Sequence, residues 1–312
     1  MNHYSPEGTL ITTKENCEAI STLEGLERAL EKQAILEAVA RTCDSSLTLH
    51  FDLGECHGIM LREEVQYLRN GGEIKDIAVL TRVGKPVVFK VVGFTRDSNG
   101  KTVALLSRRA AQAECMASYI DTLIPGDIIP ARVTHMEPFG AFVDIGCGIV
   151  SLLSIDCISV SRIAHPGDRF EVGERIYAVI RRIDEGGRIY VTHRELLGTF
   201  LENAARFTPG ETVVGTVRSI ESYGIFVELM PNLAGLAESK AGVRAGDTAA
   251  VYIKSILPEK MKIKLIVIDP HAEARRKENE YFVDTAKVLH MNRWIYSPPE
   301  AEKRIETVFC EE

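Results

Sequence analysis

The sequence predicts a mainly β chain of three tandem five-stranded barrels joined by short α-helical connectors. Three observations predict it. A dense motif, V-x-x-[IM]-x-x-[FY]-G-[AI]-F-V-[DE]-[IL], occurs over residues 133–145 and again 84 residues later over 217–229, and internal repeats fix architecture. Short alternating apolar runs, closed by glycine-rich turns, recur from about residue 32 to 268. Stretches with helical spacing separate these runs.

Taken in order, residues 1–31 form a lead-in and one helix. Residues 1–20 show no clear periodicity and read as a loosely packed lead-in. Ser21-Thr22-Leu23-Glu24 reads as a capping box, with Ser21 as cap, and Leu23, Leu26 and Leu30 then share one helix face. Residues 32–110 read as a small β unit. Leu47, Leu49 and Phe51 alternate with polar residues, Gly58–Leu61 follows a turn, and Pro86–Val92 is a rich β run. Asp97-Ser98-Asn99-Gly100-Lys101 is a hairpin turn, because Asn-Gly tolerates positive φ, and Thr102–Leu106 returns. Residues 111–124 complete an Ala-rich helical connector that begins near Ser107.

Residues 125–196 open on Pro125-Gly126-Asp127 and hold five strand signals, the last entered through the Asp184-Glu185-Gly186-Gly187 turn. Leu197, Phe200, Leu201, Ala204 and Phe207 then follow helical spacing, giving a connector over 197–208. Residues 209–268 open on Pro209-Gly210-Glu211 and repeat the β pattern. Residues 269–312 are a C-terminal extension of unassigned role, with the single Trp294 and a predicted short helix near Glu300–Val308.

The totals exclude several classes. Net charge is −7, from 37 basic and 44 acidic residues, which argues against a binder driven by bulk positive charge. It leaves room for one that relies on stacking and a local basic groove. The seven cysteines are scattered without C-x-x-C, so buried free thiols in a reducing compartment are expected, with neither disulfides nor structural zinc. With no signal segment and no membrane-length apolar run, a cytoplasmic protein without membrane contact is expected. No histidine stands at metal-ligand spacing with Cys or carboxylates. There is no phosphate-cradling loop and no G-x-S-x-G. No catalytic residue, metal or cofactor is therefore assigned, and the chain is expected not to be an enzyme.

The motif holds the candidate site. In a barrel, Val143 and Ile145 face the core. Phe139 and Phe142 stand three apart, so a regular strand sends them to opposite faces. Gly140 permits a bulge or a sharp entry that brings both rings to one outer face, where they would stack on unpaired bases. Spacing alone leaves that placement and a place in the barrel core equally open.

The run Phe139-Gly140-Ala141-Phe142-Val143, with Gly148-Ile149-Val150 and Gly187-Arg188-Ile189, resembles the RNA-binding repeat of the bacterial small-subunit ribosomal protein S-one family. The resemblance is specific in 125–196, good in 209–268 and partial in 32–110. It implies OB-fold barrels and single-stranded RNA, in particular mRNA, as partner, with the small (30S) ribosomal subunit as the site of action. Carried over by position, it implies RNA contacts at Phe139, Phe142, Asp184 and Arg188 in the second barrel. In the third it implies Tyr223 and Phe226, with Lys262 standing for the arginine. The family histidine is replaced by Ser151 and Glu238. Glu137 and Glu221 make the rims less attractive to phosphate. The first barrel has Cys43-Asp44-Ser45-Ser46 where the signature should stand, so weak or absent RNA binding is expected there, and the resemblance implies docking on the ribosome or on a protein partner. Two other functions fit the same sequence: a non-ribosomal RNA-binding regulator of transcription, decay or ribosome maturation, and a protein-interaction scaffold that has lost RNA binding.

Overall fold

In the computed structural model, which describes residues 4–69, 71–272 and 280–310, apolar alternation sets the strands. Along Leu49–Leu53, for example, Leu49, Phe51 and Leu53 are buried while His50 and Asp52 face outward, the period-two pattern of a strand with one face in a core. Such strands close three five-stranded barrels. By contact density the chain forms two compact units. The first runs to Leu123 and includes Pro130–Arg132 and Asp144–Val150; the second holds the remainder.

The first unit opens with helices α1 (Lys14–Ser21) and α2 (Leu23–Lys32). Its barrel follows as β1 (Leu36–Cys43), β2 (Leu49–Leu53), β3 (Cys56–Met60), β4 (Pro86–Arg96) and β5 (Thr102–Ser107), with α3 (Asp76–Leu80) between β3 and β4. The strand order is β1-β2-β3-β5-β4. Leu26 and Ala29 of α2 pack into the barrel core with Phe51, Phe89 and Met60. The helix cap is Thr22, whose Oγ1 accepts from Gly25 N at 3.1 Å. Ser21, the expected cap, instead ends α1. The lead-in is also more ordered than its sequence suggests. Asn16 Nδ2 donates to Glu37 O, and Glu37 N donates to Asn16 Oδ1, both at 2.8 Å. Two polar groups fix this segment, which is why apolar periodicity gave no sign of it.

Helix α4 (Arg108–Ser118) begins at Ser107, whose Oγ accepts from Ala110 N. Its first residue, Arg108, is buried against Glu7: Nε and Nη2 donate to the carboxylate at 2.6 and 3.0 Å. Burial alone would raise the Glu7 carboxyl, but the Arg108 and Arg82 charges outweigh it and the net direction is downward. Asp144, also in this unit, accepts from the N–H groups of Glu7, Gly146 and Gly148. Burial, reinforced by the Glu7 charge, pushes its carboxyl up to about 7.

The second barrel is built from β6 (Ile128–Glu137), β7 (Gly140–Asp144), β8 (Val150–Ser154), β9 (Arg175–Ile183) and β10 (Ile189–Thr192), in the order β10-β8-β7-β6-β9. Within the second unit the connector is shorter than its spacing suggests. A 3-10 turn (Arg194–Leu197) stops at Gly198, and α5 covers only Phe200–Ala204. Gly198 has φ +82°, and a Cβ there would lie 2.7 Å from the Phe282 ring, so the helical spacing is interrupted by backbone. The third barrel is β11 (Thr212–Glu221), β12 (Gly224–Met230), β13 (Leu233–Ala237), β14 (Thr248–Leu257) and β15 (Lys262–Asp269), in the order β11-β12-β13-β15-β14.

The C-terminal segment holds a hairpin in place of the expected helix near 300–308. Its strands β16 (Arg293–Ile295) and β17 (Glu306–Val308) pair antiparallel. Trp294 and Tyr296 enter the core of the third barrel, while Tyr281 and Val283 pack beside Val179 and Leu196 of the second. Pairing with β16 holds Glu306–Val308 extended, which a helix over Glu300–Val308 would not allow. Buried Asn232 joins the pieces. Its Nδ2 donates to Arg194 O and Gly198 O at 2.8 Å, its Oδ1 accepts from Val160 N, and its carbonyl accepts from the Tyr296 hydroxyl at 2.6 Å.

Candidate nucleic-acid interface

The glycine of the motif explains where the rings go. A Cβ on Gly140 would lie 2.5 Å from Leu153 O, and one on Gly224 would lie 2.5 Å from Ala237 O. Only glycine lets β7 and β12 start this close to the next strand. Gly224 also has φ +151°. The residue before each glycine is therefore left in the turn, outside the strand period. Phe139 is 56% exposed and Tyr223 67%. Phe142 and Phe226, inside their strands, are half-buried on the outer face. Phe139 and Phe142 meet edge to face with centroids 6.0 Å apart at 90°, and Tyr223 and Phe226 at 6.1 Å and 89°. The rings are thus on the surface, and the entry is sharp. In the third barrel the bulge lies on the facing strand, between Val217 and Ser219.

Strand register places the other groups. In the third barrel one cross-strand row reads Ser219, Phe226, Leu236, Lys264, Ser255. The cation in line with Phe226 is therefore Lys264. Lys262 pairs with Leu257 at the base of the β14–β15 hairpin, exposed and two residues away. In the second barrel Tyr190 stands between Leu152 and Arg182, and the Arg182 guanidinium lies 3.7 Å from the Tyr190 ring centroid. A guanidinium held flat on a ring offers its free face to a base or phosphate. His135 adds a third ring, 6.1 Å from Phe142 and inclined by 22°, with its Nε2 2.7 Å from Glu137 Oε1. Glu137, expected to repel phosphate, is partly engaged by this contact.

Arg188 is exposed at the final hairpin. Asp184 has a turn role: its Oδ1 accepts from Arg188 N at 2.8 Å, and its Oδ2 lies 3.5 Å from the Tyr190 hydroxyl. Ser151 faces inward, donating to Ile189 O at 2.7 Å, so it offers nothing to a ligand. Of the expected residues, Phe139, Phe142, Tyr223, Phe226, Arg188 and Lys262 are all at the surface. His135, Arg182, Tyr190 and Lys264 join them. Alternation signals Tyr190 on β10 and Lys264 on β15, whereas His135 and Arg182 lie near the ends of β6 and β9 where consecutive residues are exposed; only the structure shows which of them stand beside the rings.

In the first barrel the equivalent row reads Thr42, His50, Ile59, Leu105, Gly93. His50 holds the place of Phe226, and among the described residues no edge-to-face phenylalanine or tyrosine pair stands there.

Residues 122–194 match the model of the S1 RNA binding domain. The small ribosomal subunit protein bS1 homolog of Bacillus subtilis is 27% identical over 281 residues, covering 86% of this chain and 68% of its own length. The small ribosomal subunit protein bS1 of Staphylococcus epidermidis is 28% identical, covering 73% of this chain and 57% of its own. The chain thus spans between about half and two thirds of the length of these relatives. A solved multidomain protein with nucleic acid binding domains from Streptococcus pneumoniae aligns over 78% of this chain and 76% of its own at 15% identity, but its TM-score of 0.24 carries no weight. The chain thus forms three closed barrels, carries a match to the S1 RNA binding domain over residues 122–194, and is similar to bacterial bS1 ribosomal proteins.

Proposed function

We propose that the chain binds single-stranded RNA without catalysis, holding mRNA unpaired at the small ribosomal subunit. The observation that carries this reading is the same exposed edge-to-face ring pair, at the same strand position, on the second and third barrels. Each stacked base contributes about 1–3 kcal/mol with little sequence preference. Phe139, Phe142, Tyr223 and Phe226 supply the stacking. Arg182, Arg188, Lys262 and Lys264 supply the local positive charge that a net charge of −7 does not. Asp184 positions Arg188 through its turn. Two modest sites on one chain gain affinity through effective concentration. The first barrel, lacking the pair, serves as the docking module, on the ribosome or on a protein partner.

Titrating a short unstructured RNA and its duplex into the protein tests the first half of the proposal. Single-strand binding well above duplex binding is expected, and equal binding contradicts it. Sedimentation with purified small subunits tests the second half. If the protein binds RNA yet stays unsedimented, the non-ribosomal regulator replaces this reading.

A further inference from the structure

Where the other two barrels carry an aromatic ring, the first carries a hydrogen-bonded chain of Asp44, His50 and His57. The two histidines are diagonal neighbours on β2 and β3, since His50 opposes Ile59 and Asp52 opposes His57. Seven residues apart in sequence, they show no ligand spacing until the hairpin register brings them together. His50 Nδ1 lies 2.9 Å from His57 Nε2, and His50 Nε2 lies 3.0 Å from Asp44 Oδ2. The rings stack at 5.2 Å and 29°. The Asp44 carboxylate is itself fixed, its Oδ1 accepting from Ser46 N and Thr48 N at 2.9 and 3.0 Å.

This chain sets the tautomers. An ionised carboxylate only accepts, so His50 carries its proton on Nε2 and leaves a lone pair on Nδ1. The neighbouring His57 Nε2 points at that lone pair. A ligating histidine typically donates its other N–H to a carboxylate in this way. Two imidazole nitrogens bound at about 2.0–2.1 Å, the usual zinc–nitrogen distance, would stand roughly 3 Å apart or slightly more. We infer that His50 and His57 form a two-imidazole site for a borderline divalent transition ion, with Zn²⁺ as the probe and Asp44 orienting His50. The ion takes the place of the proton between the rings. His57 then carries its proton on Nδ1, so ion binding changes its tautomer with no net proton release. Among the described residues no group of three or more His, Cys, Asp or Glu side chains is placed to hold an ion, so solvent completes the coordination. Outward-facing Asp52, opposite His57, adds negative charge to that of Asp44. That charge favours a cation at this place and disfavours the phosphate that the equivalent face of the other barrels is proposed to meet. The inference stands apart from the RNA-binding reading.

Calorimetric titration of the chelator-stripped protein with zinc chloride tests it. One equivalent is expected that disappears in His50→Ala and in His57→Ala and survives in His135→Ala. Asp44→Asn keeps an oxygen for Ser46 and Thr48 but turns an N–H₂ toward His50, favouring the other tautomer. Its affinity is expected to fall about tenfold or more. In wild type, zinc should shift the ¹⁵N ring resonances of both histidines, a readout that needs no variant to fold. No zinc equivalent above that of the His50→Ala/His57→Ala double variant, or binding without movement of those resonances, overturns the inference.

Discussion

Tyr223 and Phe226 meet edge to face at 6.1 Å, and a glycine that cannot carry a side chain stands next to Tyr223. Phe139 and Phe142 repeat the arrangement. The exposed ring of each pair makes few contacts with its barrel, so its removal separates binding from folding. Phe139→Ala and Tyr223→Ala should each weaken binding of an unstructured RNA by about 1–3 kcal/mol and leave the unfolding midpoint almost unchanged. Fluorescence anisotropy and thermal melting check the two halves. Gly224→Ala should behave oppositely and lower the midpoint, because its Cβ meets Ala237 O.

The register assigns unequal roles to the two lysines of β15. Lys264→Ala, in line with Phe226, should weaken RNA binding more than Lys262→Ala at the hairpin base. With four cations engaged across both barrels, the logarithm of affinity should fall with the logarithm of salt at a slope of about −3, and each lysine removed should lessen it by roughly 0.7. Titrations at several salt concentrations measure both quantities.

Buried His193 makes the second unit acid-sensitive. Burial holds its imidazole down at about 4, against 6.5 for an ordinary histidine. It packs edge to face against Phe170 and Tyr281 and lies 3.1 Å from Ile158 O through Nδ1. Between those two values the unfolded chain binds the proton and the folded chain does not, so stability rises with pH across this window. Acidification from 6.5 to 4 should remove roughly 3 kcal/mol. In His193→Gln this part of the pH dependence should be absent, whatever the change in absolute stability. Urea unfolding at several pH values reads the slope.

The Glu7–Arg108 pair should show the asymmetry of buried ions. Arg108→Met removes the partner that holds the Glu7 carboxyl ionised and should cost about 3–5 kcal/mol. Adding Glu7→Gln should recover part of that loss, because the buried carboxylate, left with Arg82 as its remaining cation, is gone. Denaturant midpoints of the two variants and wild type give the comparison.

The sequence showed the barrels because alternation is a local property, as in Leu49, Phe51 and Leu53. It pointed to Phe139 and Tyr223 only through the resemblance of the ring-glycine motif, because spacing alone left surface and core equally open; the close approach of Gly140 and Gly224 to the next strand decides for the surface. It did not show Lys264, Arg182 or His135, since their place beside the rings depends on register between strands far apart in the chain. Nor did it show the role of Asn16 or Asn232, which hold segments by hydrogen bonds and carry no apolar pattern. Gly198 broke a connector helix that Leu197, Phe200 and Ala204 had suggested, through a contact with Phe282 that lies 84 residues on. The C-terminal hairpin was hidden for a related reason, as Trp294 and Tyr296 are extended by the core they fill.

The central claim is that the two ring pairs hold unpaired RNA. Its most direct test is fluorescence anisotropy with one short unstructured RNA at two salt concentrations, comparing wild type with the Phe139→Ala, Phe142→Ala, Tyr223→Ala, Phe226→Ala variant, both shown to be folded. Binding by wild type that falls moderately with salt and collapses in the variant is the predicted result. Binding that survives loss of all four rings, or no binding by wild type, would contradict the claim.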